Sequence, residues 1–442
     1  MRLLRTNGRG VKQAEAKLAE LERRGGAALD TVLPAVRKIV RGVRDQGDTA
    51  LLRYARKFDA LASHSPIRVG AEETAAAWQQ LDPSLQEALE TAAANIRAFA
   101  HRQMPQSWNF SPARPEAGGL TTGQLVRPID SAGCYVPGGR HPLPSTMLMT
   151  VIPAQVAGVR RIVVTSPRPA PETLATAHLL SVTEFYRIGG AHAVATLAYG
   201  TESIPRVAKI AGPGNLYVTA AKRYVACDPV MGCAIDMLAG PTEIVVTSDN
   251  GAPDAIASDL VAQAEHDPEA LAIFITTRES LALAVIEEAK RRSRQNPTAR
   301  EALRRNGYVF LVASREEAQN LTNRLAPEHL TVDSESDLAW VQNVGSVFIG
   351  GHSPQPMGDY ISGPNHTLPT GGMAAVRGGL SVMDFVKLIT VQEYTTQGLA
   401  ALGPHALRLA EAEGLTGHAE AIRARIGSQI STPAKSGKRG KA

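Results

Sequence analysis

Residues 243–276, EIVVTSDNGAPDAIASDLVAQAEHDPEALAIFIT, contain the pattern that decides the fold. Within it, 243–247 and 272–276 are short runs of β-branched and apolar residues, which are typical of buried strands. The intervening residues 254–264 carry apolar side chains at helical spacing. A strand, a helix and a second strand in succession predict a parallel pair joined by a crossover helix.

The same alternation continues over most of the chain after Thr121. Further strands are predicted at 161–165, 184–188, 208–211, 309–312 and 346–349, and further helices at 191–198 and 316–325. This number of strands predicts an α/β fold with two parallel sheets, each covered by helices on both faces. Ligands of such sheets bind beyond the carboxyl ends of the strands, so we expect the functional site there.

The two ends of the chain have helical patterns instead. The predicted helical regions are 11–24, ended by Gly25-Gly26; 33–104, with Ser84 capping its last helix; and 384–426, interrupted at Gly403-Pro404. The last of these is too short to bury a core alone, so we expect it to pack on the rest of the chain or on a partner subunit.

Composition indicates an ordinary globular protein of 442 residues, 44% apolar and 20% charged, which is long enough for two or more domains. Cys134, Cys227 and Cys233 are scattered, so no disulfide framework is expected and a reducing compartment fits. Cys134 is predicted to be a small buried apolar residue. The longest apolar run, 147–159, is too short to span a bilayer. We therefore expect a cytoplasmic protein with no membrane association.

The formal net charge of +5 mostly reflects one segment. Four of these charges, on Lys435, Lys438, Arg439 and Lys441, lie in the tail 431–442, which is predicted to be disordered. The body of the chain has no basic face with interleaved aromatic residues, so no nucleic-acid partner is expected. Nucleic-acid binding remains a hypothesis that depends on the tail alone.

Four polar clusters carry side chains suited to catalysis or metal binding. Leu325-Ala326-Pro327-Glu328-His329-Leu330 sets a carboxylate beside an imidazole, a pair that can act as acid and base. The other three clusters contain Gln263 with His266, Asp359 with His366, and Glu413 with His418. Imidazole nitrogens, carboxylates and an amide oxygen are ligands that Zn²⁺ accepts. The alternatives are a solvated helix end at His266, a turn-forming Asp359 and surface positions for Glu413 and His418.

Glycine-rich turns follow several predicted strands. They are Tyr135-Val136-Pro137-Gly138-Gly139, Gly189-Gly190, Gly212-Pro213-Gly214-Asn215 and Ala239-Gly240-Pro241. Such turns allow a ligand to approach the backbone closely, or they serve only as tight turns. No complete dinucleotide fingerprint or P-loop opens a helix after a strand, so a dinucleotide site here is atypical.

Taken in order, these clusters resemble the histidinol dehydrogenase family over roughly residues 33–418. The resemblance rests on the motifs at 135–139, 212–215, 235–243 (IDMLAGPTE), 263–266 (QAEH), 325–330 (LAPEHL), 362–366 (SGPNH) and 415–418 (LTGH). It implies an enzyme that oxidises L-histidinol to L-histidine through histidinaldehyde, a four-electron reaction that uses NAD⁺ and one Zn²⁺ per subunit.

The resemblance also implies roles for individual residues. Glu328 and His329 are the acid/base pair. The Zn²⁺ ligands are Gln263, His266, Asp359 and His418; the substrate contacts are these four with Thr242, His329, His366 and Glu413; and the NAD⁺ contacts are Tyr135, His192 and Asn215. Glu413 and His418 are expected to reach the site of the other subunit in a homodimer with shared active sites.

The implied fold consists of two incomplete Rossmann-like units and a helical C-terminal extension exchanged in the dimer. The corresponding division is an N-terminal helix at 1–24, a large unit at 25–133 with 242–385, an NAD-side unit at 134–241, the extension at 386–430 and the tail at 431–442. This agrees with the two-sheet interpretation and with the missing fingerprint.

The chain departs from the family pattern at a few positions. His192 stands where the family usually has Gln, Thr242 where it usually has Ser, and His141 where a small residue is common. Two alternatives therefore stay open: a zinc- and NAD-dependent paralogue that oxidises another amino alcohol or a sulfonated diol, and a non-catalytic binding protein on the same fold.

Overall fold

The structure is a computed structural model that describes residues 1–24, 29–112, 118–138 and 142–426. Gly25-Gly26, Gly139, His141 and the tail 431–442, which figure in the sequence predictions, lie outside the described residues.

The described residues form short strands throughout the chain. In chain order the strands are β1 (Arg2–Arg5), β2 (Trp108–Phe110), β3 (Leu120–Pro128), β4 (Ser131–Tyr135), β5 (Arg161–Thr165), β6 (Glu184–Tyr186), β7 (Lys209–Ala211), β8 (Ala234–Ile235), β9 (Glu243–Thr247), β10 (Leu271–Thr276), β11 (Gly307–Leu311), β12 (His329–Val332), β13 (Ser346–Ile349) and β14 (Val386–Tyr394).

Helices occupy most of the connections. They are α1 (Val11–Glu22), α2 (Leu29–Phe58), α3 (Ala71–Gln80), α4 (Pro83–Gln103), α5 (Pro144–Ala157), α6 (Pro171–Leu179), α7 (Gly190–Tyr199), α8 (Leu216–Ala226), α9 (Pro253–Ala264), α10 (Glu279–Arg292), α11 (Pro297–Asn306), α12 (Arg315–Leu325), α13 (Pro356–Tyr360), α14 (Thr396–Ala412) and α15 (Thr416–Ile426). Among the described residues, no helix has the length and apolar content needed to cross a membrane.

The chain divides into two compact units. The first comprises Met1–Met104 with Pro128–Phe385, and the second comprises Pro105–Arg127 with the chain from Val386 onward. The first unit contains both parallel sheets, and the second contains a three-stranded sheet of order β14-β3-β2.

The larger sheet of the first unit has six parallel strands in the order β1-β11-β10-β9-β12-β13. All residues of β10 and β11 are buried, as continuous apolar runs in a sheet covered on both faces require. The chain passes from β9 through β10 to β11 on one side and then returns to place β12 on the other side of β9. This order puts the starts of β9 and β12 next to each other, with Ile244 opposite His329.

The smaller sheet has five parallel strands in the order β6-β5-β4-β7-β8. Helices α2, α7 and α8 form one core with it, in which residues such as Val40, Leu197 and Ile210 are almost fully buried. Helices α4 and α5 contribute to a second core on Cys134 and Val164. The α/β class and the parallel sheets are therefore confirmed.

Some local predictions were wrong. The N-terminal region contains the edge strand β1 as well as a helix, because Leu3 and Leu4 pair with Val309 and Phe310 of β11. Helix α4 is capped by Asp82, whose side chain accepts the Ser84 amide hydrogen at 2.9 Å, and not by Ser84.

The C-terminal region also differs from its helical prediction. Val386–Tyr394 forms β14, which suits a segment rich in β-branched and aromatic residues. Helix α14 then continues through Gly403-Pro404 instead of ending there. A Cβ atom at Gly403 would lie 2.7 Å from Ile426 of α15, so this glycine permits the close approach of the two helices.

Candidate active site

The catalytic pair proposed from sequence lies where two neighbouring strands begin. Glu328 directly precedes β12 and His329 is its first residue, while Thr242 directly precedes β9. Ala326 ends α12 in the left-handed region, at φ +45°, and Pro327 follows it. A non-glycine residue in this conformation is strained, and such strain is typical of turns that position functional groups.

The Glu328 carboxylate is buried and oriented by two donors. Its Oε2 atom accepts the Thr242 hydroxyl hydrogen at 2.5 Å and the Glu243 amide hydrogen at 2.8 Å. Glu328 is only 6% exposed. Neither of these hydrogen bonds uses its Oε1 atom.

The His329 imidazole has a fixed tautomer in its neutral form. Its Nδ1 atom lies 3.1 Å from the carbonyl oxygen of Glu243, which only accepts, so Nδ1 carries the proton. Nε2 is then the basic nitrogen, and it lies 3.9 Å from Oδ1 of Asp359. Burial lowers the pKa of His329, but the nearby carboxylates of Glu328 and Asp359 outweigh it and raise the pKa above its ordinary value.

A buried ion pair between Arg24 and Glu243 stabilises the backbone next to Glu328 and His329. The Arg24 guanidinium donates to both carboxylate oxygens of Glu243, at 2.6 and 2.7 Å, and also to the Leu325 carbonyl at 2.6 Å. The Gly371 amide donates to Glu243 at 2.9 Å. Burial raises the pKa of Glu243 in spite of Arg24. Arg24 thereby ties the residue that orients Glu328 and His329 to the end of α12.

Gln263 lies in the last turn of α9 and is 1% exposed. Its Nε2 atom donates to the Thr242 hydroxyl oxygen, which in turn donates to Glu328. Its Oε1 atom is buried and has no hydrogen-bond partner within the described ranges. Leaving such an oxygen unpaired is unfavourable, so its lone pairs are suited to a ligand that the protein itself does not supply. His266 follows just beyond the helix end and is exposed.

Asp359 lies in the short helix α13 and is also oriented by neighbours. The Gln355 amide Nε2 donates to its Oδ2 atom at 3.0 Å, which leaves Oδ1 on the side of His329. The Nδ1 atom of His366 donates to the Asp359 carbonyl at 2.8 Å. Burial lowers the pKa of His366, which favours the neutral imidazole.

A cavity of about 280 Å³ adjoins these residues. Its polar lining includes His329, His366, Ser346 and Asn365, and its apolar lining includes Val347, Phe348 and Leu368. The Phe348 ring lies 6.1 Å from the His329 ring, centroid to centroid. A Cβ atom at Gly358 would lie 2.6 Å from Phe348, so the glycine beside Asp359 lets α13 approach the cavity wall. A small polar molecule with an apolar body fits such a pocket.

The site therefore lies at the amino ends of β9 and β12, and the predicted location beyond the carboxyl ends was wrong for this sheet. A cavity of only about 20 Å³ remains between the side chains at the carboxyl ends of β9, β10 and β12. Asp333 accepts from the amide of Asp249 at 3.0 Å and from Ser248, and Asp249 accepts from the hydroxyl of Thr277 at 2.9 Å. We call these residues, Ser248, Asp249, Thr277 and Asp333, the closed crevice.

In the five-stranded sheet, the glycine-rich turns lie at the carboxyl ends of β4, β6 and β7. Tyr135 ends β4, and its hydroxyl accepts the Gly190 amide hydrogen at 3.0 Å. Burial raises the pKa of Tyr135 to about 12. Asn215 caps α8 through its Oδ1 atom. At Gly212, φ is +115° and a Cβ atom would lie 2.1 Å from the Tyr135 carbonyl oxygen, so only glycine fits.

His192 is buried, unlike a residue that contacts a ligand from an exposed surface. It is 1% exposed, and its Nε2 atom lies 2.7 Å from Oδ2 of Asp59. The same carboxylate oxygen accepts the Gly189 amide hydrogen at 2.9 Å. His192 and Asp59 thus hold the turn at which α7 begins.

The described residues contain no group of three or more His, Cys, Asp and Glu side chains arranged to hold a metal. Two of the four ligands implied by the resemblance cannot belong to such a group in the first unit. Gln263 carries an amide, which is not one of these four side-chain types, and His418 belongs to the second unit. His418 is an exposed residue of α15, and Glu413 is an exposed residue that caps the end of α14. The unpartnered Oε1 of Gln263 is the feature that fits a bound cation.

Sequence reasoning missed Arg24, Gln355 and Asp59. Arg24 precedes Gly25-Gly26 and had the pattern of a helix end, while Gln355 and Asp59 stand in segments without a motif. The partners of Arg24 and Asp59 are far away in sequence, so no local pattern could have indicated them. Gln355 lies four residues before its partner Asp359, in a segment that the sequence predicts to be a loop.

Two parallel sheets covered by helices, with a buried carboxylate–imidazole pair beside a small cavity, define the chain as an α/β protein with a candidate acid–base site. Residues 22–426 match the family model for histidinol dehydrogenase. The histidinol dehydrogenase of Methanothermobacter thermautotrophicus is 45% identical over 423 residues, covering 93% of this chain and 97% of its own length. That of Wolinella succinogenes is 40% identical, covering 95% and 100%.

The solved structures agree. The crystal structure of histidinol dehydrogenase from Elizabethkingia anophelis superimposes with a TM-score of 0.89 at 33% identity, covering 98% of this chain and 99% of that one. The chain therefore belongs to the histidinol dehydrogenase family, a family of oxidoreductases, and the resemblance drawn from its motifs is confirmed.

Proposed function

We propose that this enzyme catalyses the NAD⁺-dependent four-electron oxidation of L-histidinol to L-histidine through histidinaldehyde, with one Zn²⁺ per subunit. The observation that carries the proposal is the fixed tautomer of His329. Its Nδ1–H is held by the Glu243 carbonyl, so the basic nitrogen is Nε2, which lies next to Asp359, and His329 lines the cavity. A positioned base of this kind is what removal of an alcohol proton requires.

The residues present fit a zinc ion. Gln263, His266 and Asp359, with His418 of the partner subunit, would hold it, and the unpartnered Oε1 of Gln263 supports this assignment. Bound zinc supplies a Lewis acid that orients the imidazole and amine of the substrate without redox chemistry of its own. His366, Thr242 and Glu413 of the partner subunit complete the proposed substrate contacts.

His329 acts as the base in both oxidations. In the first, Nε2 takes the hydroxyl proton as the substrate carbon loses a hydride, and NAD⁺ is the hydride acceptor each time. The aldehyde then needs a water molecule. Glu328, whose Oε2 is held by Thr242 and Glu243, directs Oε1 at this water and takes its proton as it attacks the aldehyde carbon. During this attack, protonated His329 returns its proton to the aldehyde oxygen. His329 then takes a hydroxyl proton again as the hydrated aldehyde loses the second hydride and becomes the carboxylic acid.

The NAD⁺ side is proposed at the carboxyl ends of the five-stranded sheet, around Tyr135, His192 and Asn215. The glycine turns there, which are partly accessible at Gly138, Gly190 and Gly214, support this assignment, since they let a dinucleotide approach the backbone. His192 contributes through the turn that begins α7, because its side chain is bonded to Asp59.

The proposed assembly is a homodimer with shared active sites, built from Rossmann-like units at 134–241 and at 25–133 with 242–385, and from an exchanged extension at 386–430. Large apolar side chains on the extension support it, since Leu409 is 66% exposed and Leu415 is 42% exposed. Exposed apolar surface of this kind marks interfaces. Three unpaired cysteines support a cytoplasmic location.

The alternative of a paralogue acting on another alcohol has no observation in its favour. The curated relatives named above carry the histidinol dehydrogenase name over nearly their full lengths.

The decisive experiment measures NADH formed per L-histidinol consumed, with a chelator and then with added Zn²⁺. Two NADH per substrate, lost on chelation and restored by zinc, is the expected result. Absence of histidinol turnover by zinc-loaded protein would refute the proposal.

Two variants separate the proposed roles. His329→Asn should lower kcat by about 10²–10⁴-fold, the usual contribution of a general base. Glu328→Gln should slow oxidation of histidinaldehyde more than oxidation of histidinol, measured as separate reactions. Equal losses in the two reactions would contradict the role of Glu328 in activating water.

A further inference from the structure

Gln355 is a buried residue that the proposed mechanism does not use. It immediately precedes α13 and is 0% exposed. Its Nε2 atom donates to Oδ2 of Asp359 at 3.0 Å, while its Oε1 atom has no partner among the described residues. The Gln355 amide therefore occupies Oδ2 of Asp359 and leaves Oδ1 of Asp359 for another ligand.

A second residue fixes Gln355 itself. The backbone amide of Gln355 lies next to the carboxylate of Asp259 and favours its ionised form, although burial raises the pKa of Asp259 to about 6. Asp259 lies on α9, four residues before Gln263 and thus on the same helix face. The two elements that carry the proposed ligands Gln263 and Asp359 are in this way connected through Asp259 and Gln355.

We propose that Gln355 is a positioning residue for the metal site, aiming Oδ1 of Asp359 at the cation, and that Asp259 holds Gln355 in place. The inference rests on the proposed function, because it requires Asp359 to bind zinc. Partners that orient a ligating carboxylate typically change metal affinity by 10–100-fold when they are removed. A buried amide with an unpaired oxygen is otherwise unfavourable, which is typical of groups retained for a site.

The test uses Gln355→Met in the full-length zinc enzyme. Methionine keeps the length of the side chain and removes only the donor to Asp359, since the backbone amide next to Asp259 remains. Zinc affinity is measured by competition with a chromophoric chelator. We expect the dissociation constant to rise about 10–100-fold, and excess Zn²⁺ to restore most of kcat.

The matched control is Gln155→Met. Gln155 also donates its side-chain amide to a protein oxygen, the carbonyl of Leu180 at 2.7 Å, but it lies on α5. This variant should keep the zinc affinity of the wild type. A lowered Tm with unchanged zinc affinity in Gln355→Met would show a merely structural role and overturn the inference.

Asp259→Asn provides a second variant if Gln355→Met folds poorly. It keeps an accepting oxygen, so a smaller loss of zinc affinity is expected, and the double variant should bind zinc no more weakly than Gln355→Met alone. Additive losses would show that Asp259 does not act through Gln355. Tight zinc binding by the wild type and by Gln355→Met alike would overturn the inference alone, whereas a wild type that binds no zinc would overturn the proposed function with it.

Discussion

Replacing Arg24 with methionine should destabilise the protein in a pH-dependent way. Arg24 is the cation paired with the buried Glu243 carboxylate, at 2.6 and 2.7 Å, and the two side chains are 15% and 4% exposed. Methionine keeps most of the length of the arginine side chain and removes both hydrogen bonds to Glu243. Removing one partner of a buried pair costs about 3–5 kcal/mol, because the other charge remains uncompensated.

The pH dependence follows from Glu243. Its pKa is already raised by burial, with Glu328 adding to the effect, and only Arg24 and the Gly371 amide act against it. Without Arg24, Glu243 binds a proton on folding. The stability linked to that proton is fully present below the unfolded pKa of about 4.3 and is lost as the pH rises through the folded pKa. The deficit of Arg24→Met should therefore shrink as the pH falls below neutrality, by at most about 1.4 kcal/mol per pH unit.

Urea unfolding of the wild type and the variant at pH 7.0 and 5.5 tests this reasoning. The difference in unfolding free energy should narrow at the lower pH, by at most about 2 kcal/mol for the single proton involved. Arg23→Met is the control, since Arg23 is the exposed neighbour and should change stability by less than about 0.5 kcal/mol. A deficit that is the same at both pH values, or equal for the two variants, would refute the role assigned to Glu243.

Two further predictions concern side chains at the site and in the cores. Thr242→Val removes the hydroxyl that donates to Glu328, a bond to a charged group worth about 1.5–3 kcal/mol, whereas Thr242→Ser keeps it; urea unfolding that ranks the two variants equally would contradict this. Burial raises the pKa of Cys134 to about 12 and of Cys233 to about 11, while Cys227 is exposed. One thiol should therefore react quickly with a disulfide reagent at pH 8 and three after denaturation, and rapid labelling of a second thiol in the native protein would be inconsistent with the fold.

The sequence predicts the parts of this fold that depend on local pattern. Strands such as β9 and β10, and the helix α9 between them, follow from periodicity within a few residues. The edge strand β1 does not, because four residues acquire strand geometry only from pairing with β11, some three hundred positions away. Strand β14 has a β-branched pattern, although it lies in a region that the sequence predicts to be helical.

The candidate site shows the same division. Motifs identify the side chains with evident chemistry, Glu328 and His329 above all. They do not indicate at which end of the strands these groups lie, because that depends on the order in which β9 and β12 enter the sheet. The motifs also do not indicate the supporting residues. Arg24 and Gln355 act by positioning other side chains, and their residue types alone do not reveal this role.

The closed crevice has a kinetic consequence for the proposed reaction. The carboxyl ends of β9 and β12 are where a sheet of this strand order would take a nucleotide, and in the described part of the chain that place is filled by Asp249, Asp333 and their hydrogen-bonded neighbours. In the proposed four-electron oxidation, both NAD⁺ molecules would therefore bind in turn at the site proposed on the five-stranded sheet. The aldehyde has to outlast an exchange of dinucleotides, so its residence time in the cavity must exceed the time that spent cofactor takes to leave and fresh cofactor takes to arrive.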